Sequence, residues 1–389
     1  MQLMIQPGDG PGLVIKGINS AKSSIEIVIF RFDRSEIERA LANAVKRGVF
    51  VHALVAHANR GGEDGLRDLE MRLLAEGVNV ARTSNDLVRY HGKMMIVDRR
   101  ELHLLSFNLT YLDIERSRSF GIVTTNRNLV HEAVRLFEAD TKRLVYEAGN
   151  QKLIVSPVNA RKELARFIKG AKKELLIYDP MVSDSAMIRI LEERAAAGVD
   201  IRILGELGQK RATLRALKLH RMRLHTRAMI RDRTHAFIGS QSLREAELDA
   251  RREVGIVFPD KRIVSRIAAI FEHDWQAADK AKEQTAVDEE AAAAKAAKKV
   301  AKAVTRDLQP VAPVLQAVIH EIAGDEKHVE LDPKEVEESV KEAVKEAVRE
   351  VVKDVVVEVV EQREDLGPEW LPGAKESQKA PAPANGRSK

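Results

Sequence analysis

The chain repeats itself, and the repeat limits the fold more than any other feature. The strand-like run SIEIVIF (24–30), the helical run SEIERALANAVKR with Ser35 as its N-cap, Gly48, and the strand-like VFVHALVA (49–56) come in that order. The same order returns as ELLIYDP (174–180), SAMIRILEERAAA (185–197), Gly198 and VDIRILG (199–205). Lys22 matches Lys172 and Gly48 matches Gly198, both at an offset of 150. A duplicated strand–helix–strand unit predicts an α/β fold of two similar halves, 1–148 and 151–275, paired about a pseudo-twofold axis. Each half is expected to pack helices on a largely parallel sheet. The second half opens with LIVSPVNARKELARFIKGAKK (153–173), read as a short strand and a basic amphipathic helix.

Beyond Trp275 the composition changes. Residues 286–303, AVDEEAAAAKAAKKVAKA, are low in complexity and helix-favouring. Within 334–362, Val336, Val340, Val344 and Val348 recur every four residues, an amphipathic stripe. The end, PGAKESQKAPAPANGRSK, reads as disordered. Residues 276–389 are thus expected to form a helical and partly disordered tail, whose valine stripe suits packing or self-association. Charge divides at the same place: 1–275 holds 46 Lys+Arg against 35 Asp+Glu, net +11, and the tail is net −6. The acidic tail is a poor partner for anionic lipid, whereas the basic body suits a phosphate-bearing partner. With 389 residues, 44% of them hydrophobic, the chain can bury a sizeable core. No run approaches the roughly 18 apolar residues of a membrane span. MQLMIQPGDGPG lacks the layout of a signal peptide. Cysteine is absent, so disulfides and thiolate metal sites are excluded. A cytoplasmic protein, with peripheral membrane contact as an option, is the expectation.

The chemistry lies in RYHGKMMIVDRRELHLLSFN (89–108). An apolar run avoids ionisable groups unless they have a purpose, because an unpaired buried charge is costly. This one contains His91, Lys93, Asp98, Ser106 and Asn108. The second half has its own version, RLHTRAMIRDRTHAFIGSQS (223–242): His225 answers His91, Arg227 answers Lys93, Asp232 answers Asp98, Ser240 answers Ser106 and Ser242 answers Asn108. The His-to-Asp interval is seven and the Asp-to-Ser interval eight in both. On a strand, residues i and i+2 share a face, so His91 with Lys93, and His225 with Arg227, are expected to point into one pocket. His52, His57, His103, His131, His220, His235, His273, His320 and His328 show no ligand spacing, and no metal site is expected.

The paired motifs resemble the signature of the phospholipase D superfamily, H-x-K-x4-D followed by a G-S-x-N-like segment, present twice. The resemblance covers roughly 1–275 and extends through SFNLTYLDIERSRSFGIV (106–123) and GSQSLREAELDARREVGIV (239–257). VSPVNARKEL is similar to the inter-repeat segment of bacterial phospholipase D-like and cardiolipin-synthase-like proteins. The resemblance implies phosphodiester chemistry without metal or cofactor, through a phosphohistidine. It makes His91 the nucleophile and His225 the general acid, roles that the sequence itself does not separate. Lys93, Arg227, Ser106, Asn108, Ser240 and Ser242 would bind or support the phosphate. Asp98 and Asp232 would orient histidines or, alternatively, form turns. The implied substrate is a phospholipid, hydrolysed or transferred. A nucleic-acid phosphodiester is the alternative, and a non-catalytic phosphate-binding scaffold a third reading. An apolar entrance beside the motifs would favour lipid, and a basic groove nucleic acid. Three positions depart from the pattern: Arg227 for lysine, Ser242 for asparagine, and Leu105 where glycine is usual.

Overall fold

The computed structural model describes residues 1–57, 64–208 and 214–306, together with Ala343, Val344 and Ala347. Two seven-strand runs have the same order. In the first half it is Gln2–Gln6, Ser117–Thr124, Glu101–Leu105, Met94–Val97, Ser24–Ile29, Phe50–Val55 and Asn79–Arg82. In the second it is Leu153–Val155, Val254–Phe258, His235–Gly239, Arg227–Arg231, Glu174–Val182, Asp200–Leu207 and Arg215–Leu217. The chain is α/β in two repeated halves, as the repeat predicts.

The expectation of largely parallel sheets needs correction. Only the last three strands of each run pair in parallel, and the other pairs are antiparallel. The reason is local. Asp98 and Arg99 adopt φ of 51° and 52°, and Asp232 and Arg233 adopt 51° and 50°. Val97 pairs with Glu101 and Arg231 with His235, so each link is three residues long, and its two consecutive left-handed residues reverse the chain so that the flanking strands run antiparallel. The helices Ser35–Lys46 and Ser185–Ala196 end just before Gly48 and Gly198, both at φ +85°, a conformation glycine adopts without steric cost. Ser35 is the first helical residue rather than the cap, which is Arg34. The counterpart cap is Asp184, whose side chain accepts from the Met187 N–H at 2.9 Å.

One core is shared between the halves. Met94, Leu104, Phe120 and Ile122 of the first sheet meet Tyr178, Ile230, Ile238 and Ile256 of the second. The same cluster takes in Leu129, Leu136 and Phe137 of the helix Arg127–Lys142, and Ile263, Phe271 and Trp275 of the helix that starts at Lys261. Separate clusters fill the other face of each sheet. Met1–Lys282 therefore forms one compact unit. The departure at Leu105 is absorbed here: Leu105 pairs with Gly121, and a Cβ on that glycine would lie 3.0 Å from Leu105 Cδ2. No helix among the described residues is long and apolar enough to cross a membrane. Val336, Val340 and Val348, most of the 276–389 tail and its expected self-association fall outside the described residues.

Candidate active site

The two halves exchange short strands. Arg89–Tyr90 pairs in parallel with Arg251–Arg252 of the second half, and Arg223–Leu224 pairs in parallel with Ser117–Arg118 of the first. Each histidine follows its exchanged strand. The His91 N–H donates to the Arg252 carbonyl at 2.7 Å, and the His225 N–H donates to the Arg118 carbonyl at 3.1 Å. The i, i+2 strand geometry expected for His91 and Lys93 is not what joins them. Both lie in the irregular link before Met94–Val97, and in the second half only Arg227 begins a strand. Gly92 is required between them, because a Cβ there would lie 2.8 Å from Val254 Cγ2.

His91 is held from across the interface. Its Nδ1 lies 2.9 Å and 3.1 Å from the two carboxylate oxygens of Glu253, which is fully buried. The Phe30 ring packs edge-on against the imidazole, with centroids 4.5 Å apart. Lys93 Nζ donates to the His91 carbonyl at 2.7 Å. Burial first, then the charges of Lys93 and Arg227, hold the His91 imidazole well below its ordinary pKa. Burial also pushes Lys93 down to about 7, and it pushes the Glu253 carboxyl up against the opposing charge of Lys93. With Glu253 accepting, Nδ1 is the donor, and Nε2 keeps its lone pair.

His225 stands differently. Its Nε2 lies 3.4 Å from Asp113 Oδ2, and its Nδ1 has no partner among the described residues. Burial, then Arg227 and Lys93, hold its pKa well below the ordinary value. Asp113 also accepts from the Asn108 N–H at 2.8 Å and from Asn108 Nδ2 at 2.7 Å, and it pairs with Arg223 at 2.8 Å. Its counterpart, Glu247, accepts from the Ser242 N–H at 2.6 Å and pairs with Arg251 at 3.1 Å. Two of the departures explain each other. Arg227 Nε donates to Ser242 Oγ at 3.0 Å while Nη1 donates to the His225 carbonyl at 2.7 Å. The longer cation is accommodated by a side chain shorter than the Asn108 of the first half.

His91 and His225 line one cavity of about 530 Å³, with Asn108, Asp113, Arg227 and Glu247. Arg31, Arg89, Arg223, Arg244 and Arg251 add cationic lining, while Phe30, Phe32, Leu66, Leu69 and Leu112 give an apolar wall from the first half alone. The entrance thus combines the two features set against each other above. Leu66 and Leu69 belong to the helix Asp64–Ala75, which has no counterpart among the described residues of the second half. Lys93 Nζ lies over the face of the Phe30 ring, 5.5 Å from its centroid.

Asp98 and Asp232 are not brought to this cavity, and the expectation that they act in catalysis is corrected. The Asp98 carboxylate accepts from the N–H groups of Lys22, Ser23 and Ser24 at 2.7–3.1 Å. Asp232 does the same with Lys172, Lys173 and Glu174. Each fastens its hairpin turn to the start of a neighbouring strand. Ser106 and Ser240 also lie outside the cavity lining, as buried staples. Ser106 Oγ donates to the Phe120 carbonyl at 2.8 Å, and Ser240 Oγ donates to that of Val254 at 3.4 Å. The motif reading missed Glu253, Asp113 and Glu247. The signal was present in the paired segments 106–123 and 239–257, where Asp113 and Glu247 occupy matching positions.

Two mirrored halves that bring a histidine each to one cavity, with cations beside both, define a protein of the phospholipase D type. The family model described as cardiolipin synthase, PLD-like domain, matches residues 14–141 and 164–275, and the chain belongs to that family. It is 28% identical over 145 residues to the mitochondrial cardiolipin hydrolase of Danio rerio, an alignment spanning 35% of this chain and 61% of that protein. The chain thus spans about three-fifths of the length of the curated relatives it matches. Among solved structures, polyphosphate kinase from Porphyromonas gingivalis superposes with a TM-score of 0.59 at 20% identity, covering 70% of this chain and 49% of that one. Phosphatidylserine synthase from Haemophilus influenzae Rd KW20 superposes with a TM-score of 0.53 at 11% identity, covering 69% and 85%. At those identities the likeness is one of fold.

Proposed function

We propose that this protein cleaves or transfers at a phosphodiester by double displacement, with His91 as nucleophile, His225 as general acid and a phospholipid as substrate. The observation that carries the reading is the His91–Glu253 pair on the wall of a cavity that His225 also lines. An imidazole whose Nδ1–H is given to a carboxylate presents the Nε2 lone pair. Attack on phosphorus forms a P–N bond and breaks the P–O bond to the leaving alcohol. The bonding pair stays on the leaving oxygen, which takes the Nε2 proton of His225. In the second step water or an alcohol gives its proton back to His225, its oxygen joins phosphorus, and the P–N bond breaks. Lys93, Arg227 and Asn108 stabilise the charge that gathers on the nonbridging oxygens. Water gives hydrolysis and an alcohol gives transfer, and no metal or cofactor enters the scheme.

The apolar wall of Phe30, Phe32, Leu66, Leu69 and Leu112 supports a lipid, because a diacyl chain needs an apolar path beside the phosphate. The relatives named cardiolipin hydrolase point the same way. The arginine lining favours a second reading, a nucleic-acid backbone, whose affinity rests on phosphate contacts. The test is turnover in EDTA of fluorescent phosphatidylglycerol, fluorescent phosphatidylcholine and a plasmid, by wild type and His91→Ala. Lipid turnover that the substitution abolishes is expected. Plasmid cleavage alone would move the second reading to first place, and no turnover of any substrate would refute both.

A further inference from the structure

The supports of the two histidines are not equivalent, and the difference has one cause. From His91 to Asp113 and from His225 to Glu247 the two halves run in step, so that Glu253 of the second half corresponds to Ser119 of the first. The exchanged strands confirm the correspondence. Arg252 takes the His91 N–H and precedes Glu253, whose carboxylate meets His91 Nδ1. Arg118 takes the His225 N–H and precedes Ser119. Ser119 is fully buried, and its Oγ, like His225 Nδ1, has no partner among the described residues. Its chain neighbours are both committed: Arg118 pairs with Asp274, and the Phe120 N–H donates to Ser106 Oγ at 3.0 Å. A serine hydroxyl is two carbons short of the reach of a glutamate.

We propose that Ser119 is a positioning residue that acts by what it withholds: it denies His225 the carboxylate that His91 receives, and so makes His225 the stronger acid and commits the pair to one direction. The inference rests on the phosphohistidine reading above and extends it. A carboxylate on Nδ1 stabilises an imidazole bearing positive charge, whether that charge comes from phosphorylation at Nε2 or from a proton there. His91 therefore suits the covalent intermediate. His225, without that support, gives up its Nε2 proton more readily. The charged or titratable groups facing His225 are Arg223 and Arg227 around its own motif, Lys93 and His91 from the other motif, and Asp113 at Nε2. Among the described residues Asp113 is the one carboxylate paired with the ring, and it stands at the proton-donating nitrogen.

Two measurements on the full chain test this, with fluorescent phosphatidylglycerol in mixed micelles as the probe. The first is rapid quench and peptide mapping of the covalent adduct on wild type, which needs no variant to fold. The adduct is expected on His91, and an adduct on His225 would overturn the inference while leaving the phosphohistidine reading intact. The second is the pH profile of kcat for Ser119→Glu and, as a shorter acid, Ser119→Asp. Supplying the missing carboxylate should move the alkaline limb upward by about one to two pH units. A limb that stays in place in a folded, active variant overturns the inference. Alanine at the equivalent positions gives a further check. Glu253→Ala should lower kcat by about 10²-fold or more, and Ser119→Ala by less than about tenfold. Equal losses would overturn it, and a wild type that forms no adduct on either histidine overturns the inference together with its parent reading.

Discussion

A buried cation near neutrality sets the pH behaviour of the free protein. Lys93 is pushed down to about 7 by burial, and His225 well below its usual range by burial and by the charges of Arg227 and Lys93. In the proposed mechanism both groups must be protonated, one to hold the phosphate and one to donate. Activity is therefore lost as pH rises, and kcat/KM reports the free protein. A bound phosphodiester brings negative charge beside both groups and raises them. The alkaline limb of kcat should accordingly lie above that of kcat/KM, and KM should climb above about pH 7; coincident limbs would contradict this assignment. The second half shows how to remove the effect. Lys93→Arg with Asn108→Ser copies the Arg227–Ser242 pair, and it should flatten the rise in KM. Lys93→Arg alone should lose more activity than the double variant, because the longer side chain then meets Asn108. Asp98 gives the opposite kind of prediction. Burial tends to raise it, but the backbone N–H groups of Ser24, Ser23 and Lys22 hold it below its ordinary value. Its contribution is therefore present above its unfolded pKa and lost as pH falls through the lower folded one. Asp98→Asn should cost about 1 kcal/mol in chemical denaturation at neutral pH, with less difference in acid, and leave kcat within twofold.

The repeat was readable at the level of elements because both copies keep the same strand order, and the left-handed pair Asp98–Arg99 in the hairpin link recurs at Asp232–Arg233. What it did not reveal follows from how a repeat is read. Matching His91 to His225 finds residues that are alike in the two halves, whereas Glu253 matters because Ser119 is unlike it. The support also crosses the interface: His91 and Glu253 are 162 residues apart in the chain, and the exchanged strand Arg251–Arg252 sets them side by side. The offset that relates the halves falls from 150 at Gly48 to 134 at His91, because the first half carries the helix Asp64–Ala75 in between. That helix supplies Leu66 and Leu69 to the apolar wall, so the element that breaks the repeat shapes the cavity. The accessible part of the wall gives a test. Leu112 is 49% exposed at the start of the helix Tyr111–Glu115, and Phe32, half-buried, bridges to Leu109 just before that helix. Leu112→Asp and Phe32→Asp should each lower turnover of vesicle phosphatidylglycerol at least tenfold while leaving bis(p-nitrophenyl) phosphate hydrolysis within about threefold. An equal loss on both substrates would show that these positions shape the reacting site rather than an acyl path.

At the scale of the whole unit, the two halves hold each other by a reciprocal exchange of buried ion pairs. Arg118 of the first half donates to Asp274 on the second half's long helix at 2.7 Å and 3.0 Å, and to the Gln6 carbonyl at 3.1 Å. Arg252 of the second half donates to Asp140 on the first half's helix at 3.1 Å, and to the Ser156 carbonyl at 3.0 Å. All four charged side chains are buried. Removing one partner of such a pair strands the other charge and costs about 3–5 kcal/mol. The consequence for chemistry is more specific than the loss of stability. The arginine whose side chain is anchored is also the residue whose carbonyl holds the opposite half's histidine: Arg118 holds His225, and Arg252 holds His91. Asp274→Ala should therefore loosen His225, the proposed general acid, and Asp140→Ala should loosen His91, the proposed nucleophile. A nitrophenolate leaves without protonation, so the leaving group separates the two effects. Under conditions where both variants remain folded, Asp274→Ala should lose at least tenfold in kcat on phosphatidylglycerol and less than threefold on bis(p-nitrophenyl) phosphate. Asp140→Ala should lose comparably on both. The same leaving-group dependence in the two variants would mean that the ion pairs stabilise the unit as a whole without steering either histidine.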